Sequence, residues 1–183
     1  MAIVASWTGD GLAAGPLTAG MAGVGDTGFN TVTTGAFTVT GDGRIQMDQQ
    51  LSTAAQLIWS SATLGSLSGY AVRGYVELSA YPSAGAPILQ AFASGALRWR
   101  LDVTSTGLVR LRDASNAIVA TASSAVPLNT ELRVEAVINA GAAAALVYLG
   151  DEEDALVELS GTVGAGADEV RWGNTQTAPA WPQ

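Results

Sequence analysis

Along the middle of this chain, hydrophobic and polar residues alternate in short runs that glycine-containing turns interrupt. In Gly69–Ala80, Tyr70, Val72, Val76 and Leu78 share one phase, and Arg73, Tyr75 and Glu77 share the other. Ala96–Thr104 sets Leu97, Trp99, Leu101 and Val103 against Arg98, Arg100, Asp102 and Thr104. Glu131–Asn139 repeats the pattern, with Leu132, Val134, Ala136 and Ile138 inward and Arg133, Glu135 and Val137 outward. A period of two residues marks a strand that buries one face. Further strands are predicted at Thr31–Thr34, Phe37–Thr40, Arg44–Asp48, Pro87–Ser94, Leu108–Arg112, Ala117–Ala122, Ala143–Gly150, Leu156–Val163 and Glu169–Trp172. Ser105-Thr106-Gly107 and Asp113–Asn116 form hairpin-like turns on either side of Leu108–Arg112.

Thr53–Trp59 admits a helical turn between strand-like flanks, and no long helix is predicted. About ten to thirteen short strands, spaced roughly 8–12 residues apart, predict an all-β sandwich. Pairing should be antiparallel, because no segment is long enough to serve as a helical crossover. No linker or change of composition divides the chain, so residues 1–174 are expected to form one domain and 175–183 a C-terminal tail. Trp99 falls on an apolar phase and belongs to the core, with Trp7, Trp59 and Trp172 in the core or at its rim. Trp181 and Pro182, in the tail, lack a periodic context and are candidates for contact with a partner.

Composition narrows the chemistry. The chain has 183 residues, of which 48 % are apolar and only 13 % charged. Its eight basic residues are all arginine, and it has no histidine and no cysteine. There is thus no imidazole base, no thiolate nucleophile, no lysine Schiff base and no nitrogen or sulfur ligand set for a transition metal. Sixteen acidic residues give a net charge of −8, a field that repels phosphate backbones and argues against nucleic acid. No stretch approaches the roughly 20 apolar residues of a membrane span. The first residues lack the basic and long apolar regions of a signal peptide. No cofactor is implied, and the balance tilts from catalysis toward binding or architecture.

Carboxylates are the one catalytic device left, and a glycosidase needs two of them facing each other across a cleft. Glu77 and Glu135 are the weak candidates, and the chain is expected not to be an enzyme. Calcium is the metal that oxygen ligands permit, with Asp151-Glu152-Glu153-Asp154 and the separated Asp10, Asp26 and Asp42 as the acids to consider. Solvated turns account for these more simply, and no metal site is assigned. More informative are Arg73, Arg98, Arg100 and Arg133, which share an outward phase with Tyr75, Glu77, Asp102 and Glu135. On neighbouring strands they would form either a face that hydrogen-bonds sugar hydroxyls, with Tyr75 stacking on a ring, or a ladder of cross-strand ion pairs. Arg73 with Glu135 is the pair expected.

Several segments resemble a known family. Trp7-Thr-Gly-Asp-Gly-Leu-Ala-Ala-Gly and Gly25-Asp-Thr-Gly-Phe-Asn-Thr-Val look like the opening of concanavalin A-like, or laminin G-like, jelly-roll domains. Gly74-Tyr-Val-Glu-Leu, Ala96-Leu-Arg-Trp-Arg-Leu, Thr106-Gly-Leu-Val-Arg-Leu-Arg-Asp, Leu132-Arg-Val-Glu-Ala, Val147-Tyr-Leu-Gly-Asp and Val170-Arg-Trp-Gly-Asn continue the likeness. Such domains occur in actinobacterial proteins and their phages. The resemblance implies an antiparallel two-sheet jelly roll and a virion structural protein, a capsid decoration or minor capsid component attached in many copies. Its partners would be other virion proteins and itself, its place the virion after synthesis in the host cytoplasm. The alternative is a lectin-like carbohydrate-binding adhesion module.

Overall fold

The alternating runs become strands in the computed structural model, which describes residues 5–9, 11–41, 44–47 and 55–174. Early in the chain lie the short β1 (Gly15–Pro16), β2 (Thr31–Val32), β3 (Phe37–Val39) and β4 (Ile45–Met47), then β5 (Ala55–Trp59) and the one-turn α1 (Ser61–Leu64). The long strands follow as β6 (Gly69–Glu77), β7 (Ala86–Ala93), β8 (Ala96–Val103), β9 (Leu108–Arg112) and β10 (Ile118–Ala125). They continue in β11 (Glu131–Asn139), β12 (Ala142–Leu149), β13 (Val157–Thr162) and β14 (Glu169–Asn174). Where the sequence allows a helical turn over Thr53–Trp59, the described part, Ala55–Trp59, is instead strand β5, and a single turn of helix comes just after it. Ala55 and Leu57 alternate inward there, and β5 gains partners on both edges, β14 and β2. The tail 175–183, with Trp181 and Pro182, lies outside the described residues.

Three sheets result, and every strand pairing described is antiparallel. A seven-stranded sheet runs β10-β9-β8-β7-β14-β5-β2; the others are β13-β12-β11-β6 and β1-β3-β4. The turns that set register carry the expected chemistry. After β8, Thr104 accepts the Leu108 N–H on its hydroxyl and Gly107 takes φ +80°, where a side chain would also strike the Tyr81 ring. After β9, Asp113 accepts the N–H groups of Ser115 and Ala117, and Asn116 turns through the left-handed region.

Inward residues of the seven-stranded sheet meet those of the other two in two apolar clusters. One joins Leu89, Trp99, Leu101, Val109 and Leu111 to Leu132, Val134, Ile138, Val147 and Leu159. The second joins Leu17, Phe37 and Val39 to Val32, Ala55 and Leu57. Trp59 and Trp172 pack against both, and Phe29 stacks on Trp59 with ring centroids 4.6 Å apart. The sandwich is therefore a long sheet facing two shorter ones.

A polar bond crosses the core. The fully buried Trp99 indole donates to the Tyr70 hydroxyl at 2.7 Å, linking β8 of one sheet to β6 of the other. Burial pushes the Tyr70 pKa up to about 12, outweighing the Trp99 hydrogen bond and the Arg98 charge that act the other way. Further along β6, Gly74 leaves room for Trp172, since a Cβ there would sit 2.5 Å from the indole ring.

Tyr70→Phe is predicted to strand the Trp99 N–H and lower unfolding free energy by about 1–3 kcal/mol in urea melts. The tyrosine also makes stability depend on pH. Its folded pKa lies above the unfolded value of about 10, so unfolding is favoured as pH rises from about 10 to about 12. Melts of Tyr70→Phe should lack that part of the alkaline loss. Gly74→Ala should overpack the Trp172 contact and cost about 1–3 kcal/mol in the same assay.

Candidate functional site

The outer face of the seven-stranded sheet carries a row of planar polar side chains in direct cross-strand register. Arg171 of β14 lies opposite Gln90 of β7, Gln90 opposite Arg100 of β8, and Arg100 opposite Arg112 of β9. One step along, Asp102 lies opposite Arg110. Alternation explains the row: Leu89, Leu101 and Leu111 fill the core, so their neighbours must point away from it.

Asp102 organises this face. It has no solvent exposure, and the guanidinium groups of Arg100, Arg110 and Arg112 converge on its carboxylate. Arg100 Nε lies 2.8 Å from Oδ1 as an ion pair off the line of a directed hydrogen bond. Arg110 approaches Oδ2 at 3.4 Å, and Arg112 donates to Oδ2 through Nε and to the Asn116 carbonyl at 2.8 Å. Next along the row, Arg171 pairs with Glu169, donates to Gln56 Oε1 at 3.2 Å and lies 4.0 Å above the Phe92 ring. Like charges opposite each other on adjacent strands repel, and Asp102 holds Arg100 and Arg112 together against this.

The residues expected to form one face divide between two. Arg73, Tyr75, Glu77, Arg133 and Glu135 lie on the outer face of the four-stranded sheet, on β6 and β11. Arg100 is on the other sheet, facing away across the sandwich. Arg98 belongs to neither array, because it is the extra residue of a bulge that sets Trp99 opposite Ala91 and Leu97 opposite Phe92. Its charge acts instead on the Tyr70 hydroxyl.

On the four-stranded sheet the expected ladder forms. Arg73 Nε lies 2.7 Å from Glu135 Oε1, and Arg133 Nε lies 3.0 Å from the same oxygen. Arg133 also covers the Tyr148 ring at 4.0 Å and donates to the Glu152 carbonyl. Tyr75 donates to Asp151 at 2.8 Å, a bond that raises the tyrosine pKa. Glu77 stands exposed opposite Glu131. Tyr75 and Glu135 are thereby engaged with protein partners, and Glu131, the carboxylate opposite Glu77, pairs with Arg44 at 3.2 Å.

Of the acidic candidates for a metal, Asp26 and Asp151 are engaged with protein partners. Burial raises the Asp26 pKa, but N–H groups of Thr8, Gly9 and Gly23 and the Thr8 hydroxyl outweigh this and lower it. Asp151 accepts from Tyr75, and Asp10 and Asp42 lie outside the described residues. Among the described residues no group of acids is arranged to hold a metal ion. A depression of about 560 Å³, lined by Ser66, Ser68, Asn139 and Gly166 among others, has no charged residue in its wall.

No protein-family model matches this chain, and no curated protein matches it. Solved structures do. The carbohydrate binding module CBM66 from Bacillus subtilis is 14 % identical, with a TM-score of 0.52 over 79 % of this chain and 88 % of that one. The alginate lyase AlgAT5 of polysaccharide lyase family 7 is 11 % identical, with a TM-score of 0.51 over 82 % and 76 %. The exoplasmic domain of VIP36, in a calcium- and mannose-bound form, is 8 % identical at a TM-score of 0.48 over 89 % and 84 %. The fold is an antiparallel jelly-roll sandwich of the concanavalin A-like kind. Two expectations change. Nothing among these structures supports a virion role. The expectation of a non-enzyme is overturned, because lyases that lie among the similar structures are built on this fold.

Asp102→Ala is predicted to leave three partly buried guanidinium groups without their counter-charge and to cost about 3–5 kcal/mol in urea unfolding. Arg73→Ala, at a site where the arginine side chain is 65 % exposed, should change stability by less than about 1 kcal/mol.

Proposed function

We propose that this protein binds glycan chains on the outer face of its seven-stranded sheet, across Arg171, Arg100 and Arg112. The observation that carries the proposal is that row itself. Arg100 and Arg112 keep only 15 % of their side-chain surface in solvent, yet they and Arg171 stand on rigid strands of one sheet, with the buried Gln90 between Arg171 and Arg100. Sugar rings offer adjacent hydroxyls, and planar multi-donor side chains are suited to bind such pairs. Strands fix the donors, so little ordering is left to be done on binding. Beside the row, Phe92 and Ile58 lie at apolar positions of the same face. The fold shared with a carbohydrate binding module and an alginate lyase supports the reading.

The opposite face, around Tyr75 and Arg133, is the weaker choice because its two arginines, Arg73 and Arg133, are matched by two carboxylates, Glu135 and Asp151. Display on a virion, which the sequence resemblance implies, is independent of this proposal and would be read by co-purification with particles.

Affinity electrophoresis against a panel of neutral and acidic polysaccharides tests the assignment. Retardation by at least one polymer is expected, weakened about tenfold or more by Arg171→Ala and unchanged by Tyr75→Ala. Lack of retardation by every polymer, or loss in Tyr75→Ala alone, would overturn it. Release of oligosaccharides from the retarding polymer would add cleavage to binding at this face.

A further inference from the structure

Resting on the glycan-binding reading, we infer that the glycan carries negative charge and that its acidic group sits against Arg100, Arg110 and Arg112. The grounds are charge and donors. Asp102 is the ion-pair partner of all three arginines among the described residues. One carboxylate balances one guanidinium, leaving an excess of two positive charges at neighbouring positions on β8 and β9. Arg171 is matched by Glu169 and does not reduce that excess. The rest of the molecule is the reverse, for the chain bears a net charge of −8. Four of its eight arginines nevertheless project from this one sheet face.

Donors are in surplus as well. Each guanidinium offers five N–H groups, whereas a carboxylate accepts about four hydrogen bonds. The Nε of Arg110 is buried and has no acceptor among the described residues. Arg110 and Arg112 keep 19 % and 15 % of their side-chain surface in solvent, which leaves the cluster reachable but poorly hydrated. Under those conditions a second anion gains more than it would at an open surface. An arginine fork takes a carboxylate through paired N–H bonds, and a sulfate ester presents equivalent oxygens, so the shared requirement is an oxyanion on the sugar.

Isothermal titration against matched polymers decides this: polygalacturonate with its fully methyl-esterified form, and dextran sulfate with dextran. Binding is expected to the charged member of at least one pair and to neither neutral member. It should weaken more than tenfold between about 0.01 M and about 1 M salt, where the Debye length falls from about 30 to about 3 Å. Polygalacturonate alone would identify a carboxylate, and dextran sulfate alone a sulfate. Arg112→Gln and Arg100→Gln should each weaken binding tenfold or more, with Arg73→Gln on the opposite face as the control that does not. Thermal melts verify that each variant is folded, and Arg100→Lys, which keeps the charge, should bind better than Arg100→Gln. Equal binding of esterified and free polygalacturonate, or of dextran and dextran sulfate, would overturn the anionic inference and leave glycan binding standing. Binding to neither member of either pair overturns the inference, and the broader panel above then decides the parent reading. An equal loss in Arg73→Gln would also overturn the inference, as non-specific attraction to arginine.

Discussion

Asp102 has no contact with solvent, and three arginines close around it. A lone buried carboxylate would be costly, and three adjacent guanidinium groups without it would repel one another. Each half of the arrangement needs the other. The hairpin of β8 and β9 supplies the geometry, because its short turn sets Val103 opposite Val109. Asp102 then faces Arg110, and Arg100 faces Arg112. The leucines behind them fix the phase, since a one-residue slip would put the charges into the core. Core and site are thus two sides of one alternating pattern.

Much of this was legible in the chain. Alternation located the strands, and β9 and β11 lie where the sequence predicts them, at Leu108–Arg112 and Glu131–Asn139. Trp99 was legible as core, and the Arg73–Glu135 pair as a cross-strand contact. Sheet membership was not. Periodicity says which residues of one strand share a face, but nothing in it says that β6 and β11 pair in one sheet while β8 and β9 pair in the other. By periodicity Arg100 therefore groups with Arg73, from which the sandwich separates it. Arg98 fell out of phase because a bulge adds one residue, and Gln90 and Arg171 join the row only through long-range pairing.

The missed signal lay in a local feature. Arg100-Leu101-Asp102, a tight turn and Arg110-Leu111-Arg112 make a hairpin whose register can be counted from the turn. Counting it places one acid among three bases, on the side away from the leucines. The absence of lysine and histidine then has a different meaning from simple exclusion of chemistry. Arginine keeps its charge when partly buried and holds a planar fork, which suits a cluster packed around a buried carboxylate better than a flexible ammonium would. The fold, shared with a carbohydrate binding module and an alginate lyase at 14 % identity or less, is a scaffold that does not by itself fix a function.

Because every basic side chain is an arginine, the eight Nε–H groups give a direct reading of where a ligand lands. Nuclear magnetic resonance titration of those signals with an acidic oligosaccharide is the most direct measurement. Shifts confined to Arg100, Arg110, Arg112 and Arg171, with Arg73 and Arg133 unmoved, are the predicted result. Movement of Arg73 and Arg133 with the Asp102 cluster silent would contradict the account.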